Sequence, residues 1–404
     1  MKKIAVISMG VKLNGEKGYS RFRYIGDFLS DAGYQVDLIT TTFQHWEKAQ
    51  RDVEAISKEE YKFRLKFIYE PGYKKNIDLR RIASHRIAAK NLKKLLEKEG
   101  DYDLIYCEIP PNDVALAAAQ YAHDKGIPFV PDVNDLWPEA MRMVVDIPVV
   151  SDILFYPLKR DAEKVYSLVS GIIGTSDEYR DRPLKNQKLD VPRKTVYVGN
   201  EIAEFDKGVS RYGSEILKEE GEFWVTYAGT IGTSYDIRTM VLAGKELMDR
   251  KMDNIKIKIL GNGPLKEELE KLAKDQGCRN VEFLGYVSYP EMAAWLAKSD
   301  ILVNSFVKKA PQSIVTKIGD YLAAGKPMIN TCMSPEFRMK VEKDGFGINI
   351  LPEDSRILAD AVTDLYKDPE GRNRMGKRAR EIAMEQFDRP QSYKKITELI
   401  EELT

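Results

Sequence analysis

Short apolar runs alternate with longer amphipathic stretches along the whole chain, and that rhythm admits few architectures. Residues 4–8, 36–40, 104–107, 129–130 and 171–175 read as strands, and residues 22–32, 82–98 and 114–125 between them read as helices. Strand, helix, strand is the pattern of a parallel sheet covered on both faces. The second half repeats it, with strands at 224–228, 255–260, 281–284, 301–304 and 328–330, and helices at 237–251, 264–276, 289–298 and 316–324. The fold class is therefore α/β.

A chain of 404 residues exceeds one typical core, at about 100–200 residues per domain, so the repeated rhythm implies two α/β halves. The boundary falls after Val196-Tyr197-Val198-Gly199-Asn200, in a charged stretch that ends near Gly221. The expected domains are 1–200 and 201–388. The last segment, 371–404, reads as two helices broken at Asp388-Arg389-Pro390. Lys+Arg and Asp+Glu balance at 63 each, so no overall field draws the molecule to nucleic acid. Cys107, Cys278 and Cys332 are scattered, with no metal-ligand spacing, and fit a reduced, cytoplasmic setting. The opening Met1-Lys2-Lys3 and its apolar run are too short for a signal peptide, and no stretch reaches the roughly 20 apolar residues of a membrane span. If the protein works at a membrane, it is then expected to do so from the surface, at the inner face.

The most informative motif is Ser313-Ile314-Val315-Thr316-Lys317-Ile318-Gly319-Asp320, which runs through Gly325-Lys326-Pro327 into the apolar Met328-Ile329. A helix N-terminus offers N–H groups to a phosphate, a lysine adds a positive charge, and a carboxylate one turn on accepts hydrogen bonds from a ribose. Helix, Gly-x-Pro and strand also occur in any Rossmann-like half, so architecture alone explains part of the pattern. Upstream, Gly229-Thr230-Ile231-Gly232 and Gly261-Asn262-Gly263-Pro264 each follow a strand, where glycine permits close backbone approach to a diphosphate. Plain turn chemistry is the alternative.

This order of motifs resembles the donor-nucleotide half of retaining GT4-type glycosyltransferases (glycosyl transferases group 1) of the GT-B fold. The resemblance covers nearly the whole chain and is most specific in the second half. It implies two Rossmann-like domains with parallel sheets facing a cleft, and a last helix, about 389–404, that returns to the first domain. It also implies a nucleoside-diphosphate sugar held by Gly229, Thr230, Gly232, Gly261, Gly263, Tyr286, Ser313, Thr316, Lys317 and Asp320. The family usually carries two acidic residues here, seven positions apart; Gln312 replaces the first, and Asp320 occupies the second. The family's Arg and Lys-Gly for the pyrophosphate are missing near Thr230, which makes Lys317 the main cationic group for the diphosphate and leaves Arg238 as a compensating or merely surface arginine.

In the first half, Pro131-Asp132-Val133-Asn134-Asp135-Leu136-Trp137-Pro138 follows a strand, where helix capping by Asp132 or Asp135 is the structural alternative. Its Asp-Leu-Trp-Pro string resembles transferases acting on lipid-linked acceptors. Asp135 is the first candidate for a catalytic base and Glu108 the second, since many GT4 enzymes have a histidine near this point and His45, His85 and His123 lie elsewhere. Gly18, Arg21 and Trp137 are the acceptor-binding candidates. The acceptor is expected to be a glycan or a polyprenyl-diphosphate-linked glycan. No cofactor is expected, and without an Asp-x-Asp at a strand end no metal either, so that Lys317 and backbone N–H groups meet the leaving-group charge. Retention in the family is attributed to same-face attack, with the departing phosphate helping to take the acceptor proton. Residues 73–100 hold nine Lys/Arg against three Asp/Glu, concentrated in a helix at about 80–98 whose inward stripe is Ile82, Ala89, Leu92 and Leu96. That basic face is either solvated or a contact for anionic lipid head groups. A GT-B nucleotide-sugar epimerase and a non-catalytic sugar-binding or scaffolding relative are the alternatives; neither half shows a dinucleotide fingerprint for a nicotinamide enzyme.

Overall fold

The computed structural model describes residues 1–16, 20–76, 78–143, 150–310 and 314–404. The chain divides into two compact units, Met1–Val196 with Tyr393–Thr404, and Tyr197–Ser392. The division thus falls a few residues before Asn200, and the chain re-enters the first unit at Tyr393 rather than at 389.

The strands of the first unit are β1 (Lys3–Ile7), β2 (Gln35–Thr41), the small hairpin β3 (Phe43–Gln44) and β4 (Ala49–Gln50), β5 (Arg64–Ile68), β6 (Leu104–Ile109), β7 (Phe129–Val133), β8 (Ile172–Gly174) and β9 (Arg193–Thr195). Seven form one sheet in the order β5-β2-β1-β6-β7-β8-β9, and every pairing is parallel. Ile4, Ala5, Val6 and Ile7 are buried because helices cover both faces of the central strand. Helix Arg21–Asp31 buries Phe22, Ile25, Gly26 and Leu29 at helical spacing. The terminal helix Lys394–Leu403 adds Ile396, Leu399 and Ile400 to the same core, each contributing about 1.5–3 kcal/mol by burial.

The second unit holds β10 (Phe223–Ala228), β11 (Ile255–Leu260), β12 (Val281–Gly285), β13 (Ile301–Asn304), β14 (Met328–Asn330) and β15 (Gly347–Asn349). Its order is β12-β11-β10-β13-β14-β15, again all parallel. Counted within each unit and leaving the β3–β4 hairpin aside, the sheets follow the doubly wound orders 3-2-1-4-5-6-7 and 3-2-1-4-5-6. Each therefore reverses direction between its first and fourth strands, β1/β6 and β10/β13, and ligands of such sheets bind outside the carboxyl ends at that point.

Three expectations change. The charged stretch after Asn200 contains a helix, Ile202–Tyr212, whose Ile202, Phe205 and Gly208 are buried. Gly208 lets it press onto helix Tyr289–Lys298, since a Cβ there would stand 2.7 Å from the Pro290 Cα. In helix Leu79–Glu99 the inward stripe is Ser84, His85, Ala88, Leu92 and Leu96, and Ile82 is 36% exposed. Polar Ser84 goes inside because its Oγ donates to buried Glu70 at 2.8 Å, and His85 because its ring packs against Tyr73 and Trp137. Short strands β5, β9 and β15 escape sequence reading because Arg64, Lys66, Arg193, Lys194 and Asn349 dilute their apolar signal. Among the described residues, no helix is long and apolar enough to cross a membrane.

Candidate functional site

At the β10/β13 reversal the strands pair only at Val225–Thr226 with Ile301–Leu302, and then diverge. The Tyr321 hydroxyl, from helix Lys317–Ala323, fills the gap: it accepts from the Ala228 N–H at 2.8 Å and donates toward the Ala228 carbonyl at 3.2 Å. Lys317, the first residue of that helix, sends its ammonium into the aromatic groove beside this point. Its Nζ lies 4.3 Å from the ring centroids of Tyr227 and Tyr235, 5.1 Å from Phe306 and 5.8 Å from Tyr321. The rings attract the cation through their negative faces. Yet Nζ is buried and, among the described residues, has no hydrogen-bond acceptor. A buried ammonium without a counter-ion is costly, and burial pushes its pKa down to about 7.

Asp320, one turn on, is held by other partners. Its Oδ1 accepts from Asn200 Nδ2 at 2.8 Å and from the Tyr289 hydroxyl at 2.9 Å, and burial pushes the carboxyl up to about 6. Gly319 leaves room for the Asn200 side chain, since a Cβ there would lie 3.2 Å from Asn200 Oδ1. Asn200 itself is anchored where the chain crosses Phe387–Arg389: its N–H donates to the Phe387 carbonyl and its carbonyl accepts from the Arg389 N–H.

The glycine loops have a structural explanation of their own. Gly229 donates to the Leu260 carbonyl and Ile231 to the Asn262 carbonyl, so the two loops interlock backbone to backbone. A Cβ at Gly261 would lie 1.9 Å from the Gly229 carbonyl oxygen, and one at Gly263 2.1 Å from that of Ile231. Gly232 is different: its nearest neighbour would be the Thr230 methyl at 3.5 Å, which leaves its backbone approachable. Thr230, Thr316 and Arg238 are exposed, and Tyr286 is 79% exposed. Ser313 lies outside the described residues, as do Gln312 and Gly18.

At the matching β1/β6 reversal of the first unit stands Glu108. Its Oε2 accepts from Ser8 Oγ at 2.7 Å, from the Met9 N–H at 3.1 Å and from the Gly10 N–H at 3.4 Å. Burial outweighs these bonds and pushes its pKa up to about 7. Asp135 is engaged locally, accepting from the Leu136 N–H at 2.8 Å and from the Trp137 indole at 3.1 Å, with its pKa raised by burial. Trp137 is buried, stacked on His85 and covered by Arg81, whose Cζ lies 4.5 Å from the indole. The acceptor-binding expectation for Arg21 does not hold. Its guanidinium is fully buried, pairs with Asp132 at 2.9 Å and donates to the Tyr393 hydroxyl at 3.0 Å, tying the first helix to β7 and the terminal segment.

Sequence reading missed Tyr235, Phe306 and Tyr321 around the ammonium, Asn200 and Tyr289 on Asp320, and a ladder of Asn304, Asn330 and Asn349 across the ends of β13, β14 and β15. Only the ladder left a signal, an asparagine closing each of three strands.

The region that holds the cage, the interlocked loops and Asp320 also carries the family signature. Residues 212–382 match the family of glycosyl transferases group 1. The chain is 26% identical over 156 residues to an alpha-D-kanosaminyltransferase of Streptomyces kanamyceticus, covering 38% of this chain and 39% of that protein. It is 27% identical over 131 residues, 31% of each chain, to a putative colanic acid biosynthesis glycosyl transferase of Escherichia coli. The chain thus spans well under half the length of these curated relatives. Among solved structures, the sucrose-phosphate synthase of Thermosynechococcus elongatus superposes with a TM-score of 0.73 at 17% identity, over 100% of this chain and 99% of that one. The Anabaena HepE protein, solved in complex with UDP, superposes at 0.71 and 16% identity over the full length of both chains. The fold is GT-B.

Proposed function

We propose that this protein is a retaining glycosyltransferase of the GT4 kind. It moves a hexosyl or N-acetylhexosaminyl group from a nucleoside diphosphate to a hydroxyl of a glycan or lipid-linked glycan, in cell-surface polysaccharide synthesis. The observation that carries the reading is Lys317: a buried ammonium without an acceptor among the described residues, at the strand reversal where such sheets bind ligands, with the approachable backbone of Gly232 in the loop that follows β10. A diphosphate supplies the missing counter-charge. UDP is the first base to test, because the HepE structure was solved with it.

In the transfer, the anomeric C–O bond to the diphosphate breaks and a bond from the acceptor oxygen forms on the same face. The acceptor proton passes to Glu108 or to the departing phosphate. Glu108 is the better-placed base of the two carboxylates considered, since it lies at the reversal of its sheet and titrates near neutrality, whereas Asp135 holds its own loop. Lys317 and backbone N–H groups meet the leaving-group charge, and no metal is required: activity unchanged by EDTA is the expected outcome. The protein works in the cytoplasm, at the inner membrane face. The exposed Arg80, Arg86, Lys90, Lys93 and Lys94 of helix Leu79–Glu99, with half-exposed Ile87, suit anionic head groups. Flotation with phosphatidylglycerol vesicles, lost on charge reversal of Arg86, Lys90 and Lys93, checks that contact.

The deciding experiment is a thermal-shift screen against UDP, GDP, ADP, CMP and NAD and their sugar conjugates, with Lys317→Ala and Asp320→Ala alongside. A nucleoside diphosphate that stabilises the parent protein and neither variant supports the reading. No shift, or equal shifts in the variants, makes the chain a non-catalytic relative.

A further inference from the structure

The carboxyl edge of the first sheet carries a second cluster of polar groups, from three separate segments, with two cations in it. The β3–β4 hairpin brings His45 and Lys48, the segment after β5 brings Tyr73, and the first turn of helix Leu79–Glu99 brings Arg81. They converge on the Tyr73 ring: Lys48 Nζ lies 5.0 Å and Arg81 Cζ 5.3 Å from its centroid, and the phenol lies 2.5 Å from His45 Nδ1. Burial pushes His45 down to about 4 and His85 to about 3, so neither competes as a cation near neutrality.

Lys48 donates to the His45 carbonyl at 2.6 Å, and Arg81 Nη1 to the Asn76 carbonyl at 3.0 Å. Among the described residues, the buried Arg81 Nε has no hydrogen-bond partner. Among the described residues neither cation has a carboxylate within ion-pair distance. The two nearby acids are engaged elsewhere: Glu70 accepts from Ser84, and Asp135 from Leu136 and Trp137. Lys48 also holds a backbone φ of 56°, in the left-handed region that a lysine seldom adopts. Two cations held near one ring, with Arg81 Nε unfilled among the described residues and flat aromatic surface in Trp137 against Arg81 and the 56% exposed Trp46 beside His45, match an oxyanion attached to a larger body. The planar fork of arginine and the point charge of lysine are the usual pair for phosphate.

We propose that Arg81 and Lys48, with the Tyr73–His45 pair behind them, form a phosphate subsite, and that the acceptor of this enzyme is a phosphate- or diphosphate-bearing molecule. The inference rests on the glycosyltransferase reading for its purpose, but the subsite can be tested apart from it.

Inorganic pyrophosphate and detergent-solubilised geranylgeranyl diphosphate are titrated into the full chain by calorimetry, with geranylgeraniol as the neutral control. Arg81→Gln, Lys48→Met and Lys317→Ala are measured in parallel. The expected result is binding of at least one phosphate probe, weakened about ten-fold or more by Arg81→Gln and by Lys48→Met and persisting in Lys317→Ala. Tighter binding of the prenyl diphosphate than of pyrophosphate assigns the phosphate to a lipid carrier; equal binding assigns it to a water-soluble phosphorylated acceptor. No binding of either probe overturns the subsite, and so does binding lost only in Lys317→Ala or matched by geranylgeraniol. Lys48→Met changes a half-exposed hairpin side chain, so it separates loss of the subsite from failure to fold. Loss of nucleotide binding with pyrophosphate binding retained at Arg81 refutes the donor reading alone.

Discussion

The two units share one strand order and place opposite charges at the same point in it. Where β10 and β13 part, the second unit buries Lys317 among four aromatic rings; where β1 and β6 part, the first unit buries Glu108 against Ser8, Met9 and Gly10. Desolvation moves the lysine down to about 7 and the glutamate up to about 7, so both groups titrate near neutrality. Among the described residues the lysine has no acceptor, while the glutamate keeps three donors. The same backbone scaffold thus buries a cation in one unit and a carboxyl in the other, and the side chain at the reversal decides which.

The largest effect is expected from Glu108→Gln, which keeps the Ser8 and Gly10 contacts in shape but removes the proposed base. Turnover should fall about 10²–10⁴-fold, with UDP affinity unchanged by calorimetry; unchanged turnover would return the base role to Asp135 or to the departing phosphate. Arg21→Met leaves the buried Asp132 carboxyl without its guanidinium partner, and should cost about 3–5 kcal/mol in urea denaturation. A small loss there, with weakened acceptor kinetics, would restore the acceptor role that burial argues against.

Lys317→Met should weaken nucleoside-diphosphate binding about 100-fold and yet raise the melting temperature of the unliganded protein at pH 6. The sign follows from linkage. The folded pKa, about 7, lies below the unfolded value of 10.5, so in the free protein the cost is present in full below pH 7 and relieved as pH rises toward 10.5. Each kcal/mol recovered should appear as about 2–4 °C. A variant less stable than the parent at pH 6 would mean that the aromatic cage repays the charge. Donor affinity in the parent should fall as pH rises through about 7, by up to about ten-fold per pH unit, and the slope should vanish in Lys317→Met. Asp320→Asn is the mildest change, about ten-fold in donor affinity. If that loss also follows from Tyr289→Phe, the Asn200–Asp320–Tyr289 network positions the carboxylate; if not, Asp320 acts alone.

Much of the architecture was legible in the linear chain. Buried parallel strands such as Ile255–Leu260 and Ile301–Asn304 are continuous apolar runs, and their spacing by amphipathic helices leaves two doubly wound sheets as the natural solution. Lys317 and Asp320 could also be singled out, because a cation and a carboxylate one turn apart at the start of a helix form a local pattern. What escaped was whatever depends on neighbours distant in sequence. Arg21 and Asp132 are 111 residues apart, and nothing local marks either as half of a buried pair. The glycines at 261 and 263 read as phosphate loops but are required first by a loop packed against them from another strand. Burial is a tertiary property, and it alone turns Glu108 from an ordinary carboxylate into one that titrates near neutrality, and Lys317 from a surface charge into an unpaired one. Residue types and local spacing were determined by the sequence itself. Which of those residues lost their water, and with whom, was decided by the fold, because desolvation and long-range partners set the chemistry of an ionisable group.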